Sequence, residues 1–263
     1  MATASTTWRS VAASYDKYIR AGGEGPGNYE KRVASWGYDP PFLARCGIEE
    51  AADFLSEACG GGCPLRLDEP RPGETVLDLG CGSGHDLVIA SRLVGPKGRV
   101  YGVDLSPEMV DAARRKLDAY SAQGELLQGA IDDDTLDLPP ADVCVSNGVF
   151  NLCFDKSKAF ATAFRALKPG GRFLLADVCE VPRQANVVAG CVSPDEYARL
   201  MSRAGFVDVR VVAITDFWTS DHTRCFEFTA RKPPIARRRR WVLELVATIF
   251  LLATTVTRFR FRF

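Results

Sequence analysis

The residues of this chain best placed to do chemistry lie in Val76-Leu-Asp-Leu-Gly-Cys-Gly-Ser-Gly-His-Asp86. Asp78 sits in an apolar run, glycines follow at 80, 82 and 84, and an apolar pattern (Leu87, Ile89, Ala90, Leu93) comes next. That order reads as strand, tight turn, helix. Glycine serves where a backbone takes positive φ or lets a ligand approach closely. The free N–H groups at the start of the following helix suit an anion such as a carboxylate. Arg99-Val-Tyr-Gly-Val-Asp104 is a second short strand, ending in an acid 20 residues after Gly84. An acid there suits the two hydroxyls of a ribose. Together the two segments point to a nucleoside-containing cofactor.

Spacing narrows the choice. Dinucleotide sites usually read G-x-G-x-x-G, and phosphate-gripping loops read G-x-x-x-x-G-K-[S/T]. Here the glycines run G-x-G-x-G with an acid two residues before them, and no Lys-Ser/Thr pair follows. A nicotinamide dinucleotide and a glycine turn with no ligand are the alternatives. Only two histidines are available as bases near neutral pH, His85 in the glycine loop and His222 between the last two expected strands.

The elements that must position these residues follow from pattern. Strands are expected at 75–79, 99–104, 125–128, 142–146 and 172–177, with helices at 84–94, 107–120, 155–167 and 193–204 between or after them. Ser106-Pro107 is a good helix start, and Lys168-Pro-Gly-Gly171 and Gly205 are helix stops. Strands at Phe206–Ile214 and Arg224–Arg231 close the pattern without a helix between them, which suggests an antiparallel edge on a parallel sheet. Asp78, Asp104, Asp132 and Asn147 all lie at or just after strand ends, so one crevice can gather them. Residues 1–14 read as a frayed start, 15–40 as a helical or irregular cap, and 41–58 as a helix ended by Gly60-Gly-Gly62. The expected division is a cap at 1–58, a cofactor-binding domain at 59–231 and a tail at 232–263.

With 263 residues, 46% of them hydrophobic, the chain can bury a full core. Its zero formal charge is uneven: residues 231–263 carry nine Lys/Arg and one acid, hence +8, and the remainder carries −8. An acidic body argues against nucleic acid as substrate. Nine cysteines without a secretory signal read as buried free thiols rather than a disulfide framework. Cys59-Gly-Gly-Gly-Cys63 lacks a second ligand pair at metal spacing, so no metal is expected.

Asp78-Leu-Gly-Cys-Gly-Ser-Gly84 resembles the first motif of class I S-adenosylmethionine methyltransferases, and Asp104 matches their ribose acid. The resemblance covers about residues 60–231. It implies a doubly wound α/β fold with a mostly parallel, seven-stranded, Rossmann-like sheet and an N-terminal helical cap; a C-terminal hydrophobic helix is expected separately, from the composition of the tail. It also implies S-adenosylmethionine as cofactor, bound by Asp78, Gly80, Gly82, Gly84, Asp104, Leu105, Ile131, Asp132 and Asn147. Gly129-Ala-Ile-Asp132 resembles the family's adenine contact, with Ile131 packing the ring and Asp132 meeting its amino group; an ordinary solvated loop is the alternative for Asp132-Asp-Asp134. The family often carries an aromatic N-terminal lid, for which Tyr15 and Tyr18 are the candidates, with plain surface packing as the alternative.

A nearer resemblance is to arsenite methyltransferases, through Asp142–Lys156, Arg165–Arg172, Ala176-Asp-Val178, Val187–Cys191 and Ser193–Tyr197. That family captures trivalent arsenic with cysteine thiolates, soft ligands for a soft centre. Two of its cysteine positions fall on Gly148 and Val187 here, while Cys59, Cys63, Cys153 and Cys191 lie elsewhere in the neighbourhood. The expected function is methyl transfer to a small-molecule acceptor by in-line displacement. Asn147, His85 and Tyr15 are the candidate catalytic residues. The alternatives are an arsenite methyltransferase with relocated cysteines and a non-catalytic cofactor-binding scaffold at a membrane.

The last expectation concerns the tail. Four arginines (237–240) precede Trp241–Thr257, which is apolar apart from Glu244 and threonines. A 17-residue helix spans roughly 25 Å, short of the ~30 Å hydrocarbon core, but arginines at both ends can snorkel. The expectation is an intracellular, cytoplasm-facing protein associated with a membrane through this segment. Oligomeric state is not legible.

Overall fold

The computed structural model of the chain describes residues 4–22, 36–180, 191–220 and 223–235. Among them run α1 (Ala4–Arg20), α2 (Pro40–Arg45), α3 (Ala51–Leu55) and a 3-10 turn at Pro64–Arg66. Strand and helix then alternate through β1 (Thr75–Leu79), α4 (His85–Val94), β2 (Arg99–Asp104), α5 (Pro107–Ala119), β3 (Glu125–Gln128), β4 (Ala141–Asn147), α6 (Lys156–Ala166) and β5 (Leu167–Glu180). The chain closes with α7 (Pro194–Ala204), β6 (Val207–Ser220) and β7 (Thr223–Arg231).

The strands form one sheet in the order β3-β2-β1-β4-β5-β7-β6. The first five pair in parallel, while β7 runs antiparallel to both β5 and β6. This is the seven-stranded, mostly parallel, doubly wound sheet expected from the pattern. Strand order reverses between β1 and β4, and a crevice opens there beyond the carboxyl ends of the strands. Both faces are covered, which is why β1 and β4 are apolar runs rather than alternating ones. On one face Tyr38, Phe54 and Leu65 pack with α4 and α5. On the other, Phe150, Phe160, Phe173, Tyr197 and Phe228 form an aromatic cluster beneath α6 and α7.

Two N-terminal expectations change. The helix expected over 41–58 is two short helices, because Gly47 takes φ +71° after Cys46 and turns the chain back, with Ile48 N–H donating to Leu43 O. A left-handed residue costs roughly 1–2 kcal/mol for anything but glycine, so the helix stops there. The expected frayed start is α1 from Ala4 onward, docked on α5 where Ile19 meets Met109 and Ala112. Trp241–Thr257, the expected hydrophobic helix, lies outside the described residues, as does His222. Among the described residues no helix is long and apolar enough to cross a membrane.

Candidate functional site

The turn after β1 uses its three glycines for three purposes. All have positive φ: +82° at Gly80, +51° at Gly82 and +85° at Gly84. A Cβ on Gly80 would stand 2.4 Å from Val149 Cγ2, so this glycine lets the loop after β4 come close. A Cβ on Gly82 would meet nothing within 4 Å and project into open space. Gly84 caps α4 and lies against α5, where its Cβ would stand 3.0 Å from Ala113 Cα. Gly80 and Gly82 line a cavity of about 700 Å³, its open mouth included, and Gly84 does not.

Asp104, at the end of β2, joins the turn to the next helix. Its Oδ2 accepts the Gly82 N–H at 2.8 Å and its Oδ1 the Ser106 N–H at 2.9 Å. Burial pushes its carboxyl up from the usual range, against the pull of these backbone donors. Each carboxylate oxygen has a second lone pair, so Asp104 can still accept two hydroxyls from the cavity it lines.

Leu105, Ile131, Asp132, Asn147 and Tyr15 line the same cavity. Asp132 is held at both oxygens, by Trp8 Nε1–H at 2.8 Å and by the Asp155 N–H at 3.0 Å. The Asn147 amide is engaged elsewhere: Oδ1 accepts the N–H groups of Gly61 (3.0 Å) and Gly62 (3.3 Å), and Nδ2 donates to Gly62 O at 2.7 Å. Nδ2 also donates to the Tyr38 hydroxyl, which in turn donates to Asp86 at 2.8 Å. Asn147 thus pins the triglycine loop against β4. A Cβ on Gly148 would stand 3.1 Å from Gly60 Cα, so that loop fills the space a side chain at 148 would need.

Besides Gly84, two predicted residues do not reach the cavity. Asp78 is buried behind the glycine turn, and burial together with Asp86 and Asp104 holds its carboxyl well above the ordinary range. His85 packs its ring edge-on to Tyr38, with centroids 5.5 Å apart and neither nitrogen hydrogen-bonded. Burial lowers its pKa, so it stands neutral and turned away from any acceptor.

Other cavity residues, apart from Cys59 and Cys153, were not singled out from the sequence. Trp8, Val11 and Ala12 join Tyr15 on the roof, and Val149, Leu152 and Cys153 form the wall after β4. The spacing 8, 11, 12, 15 is one helical face, the available signal for the roof. Cys59 also lines the cavity, and of the nine cysteines Cys59 and Cys153 alone are not fully buried. Asp177 holds the wall from behind: its carboxylate accepts the Phe150 and Val178 N–H groups at 2.7 Å each, and burial pushes its pKa up to about 7. No signal in the sequence marked it.

The donor set fits S-adenosylmethionine. Among the described residues the cavity offers carboxylates and exposed backbone but no Lys, Arg or His side chain. A pyrophosphate would find no cation there, whereas a nucleoside carrying a sulfonium and an ammonium meets an acidic surround. Gly80 and Gly82 leave room for close approach, Asp104 suits a ribose, and Ile131 with Asp132 suits an amino-bearing ring.

Comparison with known proteins agrees with this donor set. A family model described as "Methyltransferase domain" matches residues 70–224. An arsenite methyltransferase of Halobacterium salinarum is 36% identical over 191 residues, covering 66% of this chain and 46% of the relative. The chain thus spans about half the length of that curated relative. Among solved structures, an arsenic(III) S-adenosylmethionine methyltransferase from Chlamydomonas reinhardtii is similar at 28% identity and TM-score 0.62, covering 75% of each chain. The [4+2]-cyclase SpnF matches at 17% identity and TM-score 0.61, covering 85% of this chain and 95% of its own, a likeness of fold alone.

Proposed function

The chain belongs to the methyltransferase domain family, whose cofactor is S-adenosylmethionine, and on that premise we propose that it transfers a methyl group to a small-molecule acceptor. The observation that carries this reading is the cavity at the β1/β4 switch point, lined by carboxylates and glycine backbone and, among the described residues, by no cationic side chain. When bound, the cofactor supplies a methyl group already activated by its sulfonium. Asp104 holds the ribose. Ile131 packs the adenine ring, with Asp132 at its amino group, and Gly80 and Gly82 admit the remainder. Asp78 stands behind the turn, outside the cavity lining.

The chain's remaining task is alignment, since placing two reactants in line can supply several kcal/mol of the barrier. Among the described residues no histidine lines the cavity: His85 is turned away, and burial raises the Tyr15 phenol further from neutrality. The acceptor is therefore a nucleophile in its own right, such as a thiol or a carbanion-like carbon, or As(III). The arsenic reading is favoured by one observation: the two incompletely buried thiols, Cys59 and Cys153, both face the cavity. In sequence they differ from the positions where the resembling arsenite family carries its cysteines, Gly148 and Val187.

The proposed organisation keeps the division into a cap (1–58), a cofactor domain (59–231) and a tail (232–263). The +8 charge of residues 231–263 and the apolar Trp241–Thr257 support tethering to a membrane surface on the cytoplasm-like side. Vesicle sedimentation of the full chain against one ending at residue 235 tests that part.

The activity test offers the full chain methyl-labelled S-adenosylmethionine with arsenite plus a thiol, and separately with a metabolite extract. Label in methylated arsenic supports the thiol reading, and label in an organic product supports the broader one. Cofactor binding without label in either arm would leave the scaffold.

A further inference from the structure

Helix α1 contributes Trp8, Val11, Ala12 and Tyr15 to the cavity, positions i, i+3, i+4 and i+7 of one face. Four side chains fasten it to the body. Asp16 accepts from the Ser106 hydroxyl, Tyr18 donates to Ala58 O at 3.3 Å, Arg20 pairs with Glu108 at 2.7 Å, and Trp8 donates to Asp132 at 2.8 Å. Three of these anchors hold the body outside the carboxylates assigned to the cofactor. The Trp8 anchor alone seizes the carboxylate assigned to adenine, 124 residues away in sequence.

The chemistry of that contact is one-directional. An indole nitrogen can only donate, whereas a carboxylate oxygen accepts through two lone pairs. With Oδ2 on the Asp155 N–H and Oδ1 on Trp8, Asp132 is fixed in orientation and keeps a second lone pair on each oxygen for a donor from the cavity. A flat amphipathic ring beside that carboxylate also offers a face to a purine.

We propose that Trp8 is a cofactor-binding residue: its indole is the outer wall of the adenine subsite, and its N–H shares Asp132 with the exocyclic amine. The nucleoside then enters and leaves only when α1 lifts, and the Trp8–Asp132 bond governs how long it stays. The proposal rests on the cofactor reading above.

The test measures affinity and dissociation of S-adenosylhomocysteine from the full chain, by calorimetry and by a stopped-flow chase. Trp8→Phe keeps the ring and removes the donor; Trp8→Ala removes both. Arg20→Ala, which breaks an exposed contact at the far end of the same helix, is the control for general loosening of α1. Trp8→Phe is expected to dissociate about 10-fold faster, the usual size of one hydrogen bond to a charged group, and Trp8→Ala faster still. Arg20→Ala is expected to stay within about 2-fold of the parent. The 6-oxo analogue, S-inosylhomocysteine, lacks the amine, and Trp8→Phe is expected to change its dissociation less. Unchanged dissociation in both Trp8 variants overturns the assignment of Trp8, and so does equal acceleration in Arg20→Ala. Failure of the parent chain to bind S-adenosylhomocysteine overturns the cofactor reading as well, which separates the two failures.

Discussion

The floor and the roof of the cavity are built by different means. On the floor, the decisive contacts are local: Asp104 accepts from Ser106, 2 residues on, and from Gly82, 22 residues back. On the roof and wall they are remote, with Trp8 and Asp132 124 residues apart and Gly61 and Asn147 86 apart. Local contacts form with the strands and turns that contain them, so the floor is as rigid as the sheet. Remote contacts exist only once the N-terminal segment has docked, and they can break while the sheet stays intact. The floor therefore decides which cofactor is held, while roof and wall decide exchange and what reaches the methyl group.

The largest expected effect breaks the floor. Asp104→Ala removes the acceptor of two backbone N–H groups and of the ribose hydroxyls at once. Hydrogen bonds to a charged group contribute roughly 1.5–3 kcal/mol each, so affinity for S-adenosylhomocysteine should fall by on the order of 100-fold or more. Calorimetry reads it directly. Should Cys59→Ser on the wall cost as much, the division of labour between the two regions is wrong.

The same division separates what the sequence disclosed from what it did not. The sheet and its order of elements were legible because the apolar runs, the Ser106-Pro107 cap and the Gly84 and Gly205 punctuation are all local signals. Asp104 and the glycine turn were legible for the same reason. The triglycine loop at 60–62 read only as a helix stop, because its partner Asn147 lies across the sheet and no periodicity links them. Asn147 itself lines the cavity, yet its amide serves that loop, a distinction invisible without the fold. Helix α1 was missed because Ser and Thr at its start are weak helix formers, although Trp8, Val11, Ala12 and Tyr15 carry the stripe. His85 sits beside the motif in sequence and behind it in space, since the first turn of α4 points it at Tyr38.

A middle-sized effect probes the wall. Gly148→Cys puts back the residue type of the resembling arsenite family. Here the backbone has φ +72°, and the new Cβ would press Gly60 Cα at 3.1 Å. Left-handed strain in a non-glycine residue costs of order 1–3 kcal/mol, and the triglycine loop must also yield. The expected result is a lower Tm by scanning calorimetry, with no gain of methyl transfer to arsenite. A variant as stable as the parent would mean that the loop, and Cys59 with it, moves freely.

The smallest effect sharpens the comparison without a mutation. Cys59 and Cys153 are the incompletely buried thiols, one on the loop before β1 and one on the wall after β4, and both face the cavity. The other seven cysteines are buried and should react with a maleimide only on unfolding. Burial with Asp132 and Asp177 nearby raises the Cys153 thiol, so its alkylation at neutral pH should be slow and should speed up as pH rises. Saturating S-adenosylhomocysteine should slow labelling at both positions by a few-fold, read by peptide mass spectrometry. Protection at both places the two thiols of the wall against the same occupant that the floor selects. Protection at Cys153 alone would mean that the loop carrying Cys59 stays open over a filled floor, and that the cap docks for the acceptor rather than for the cofactor.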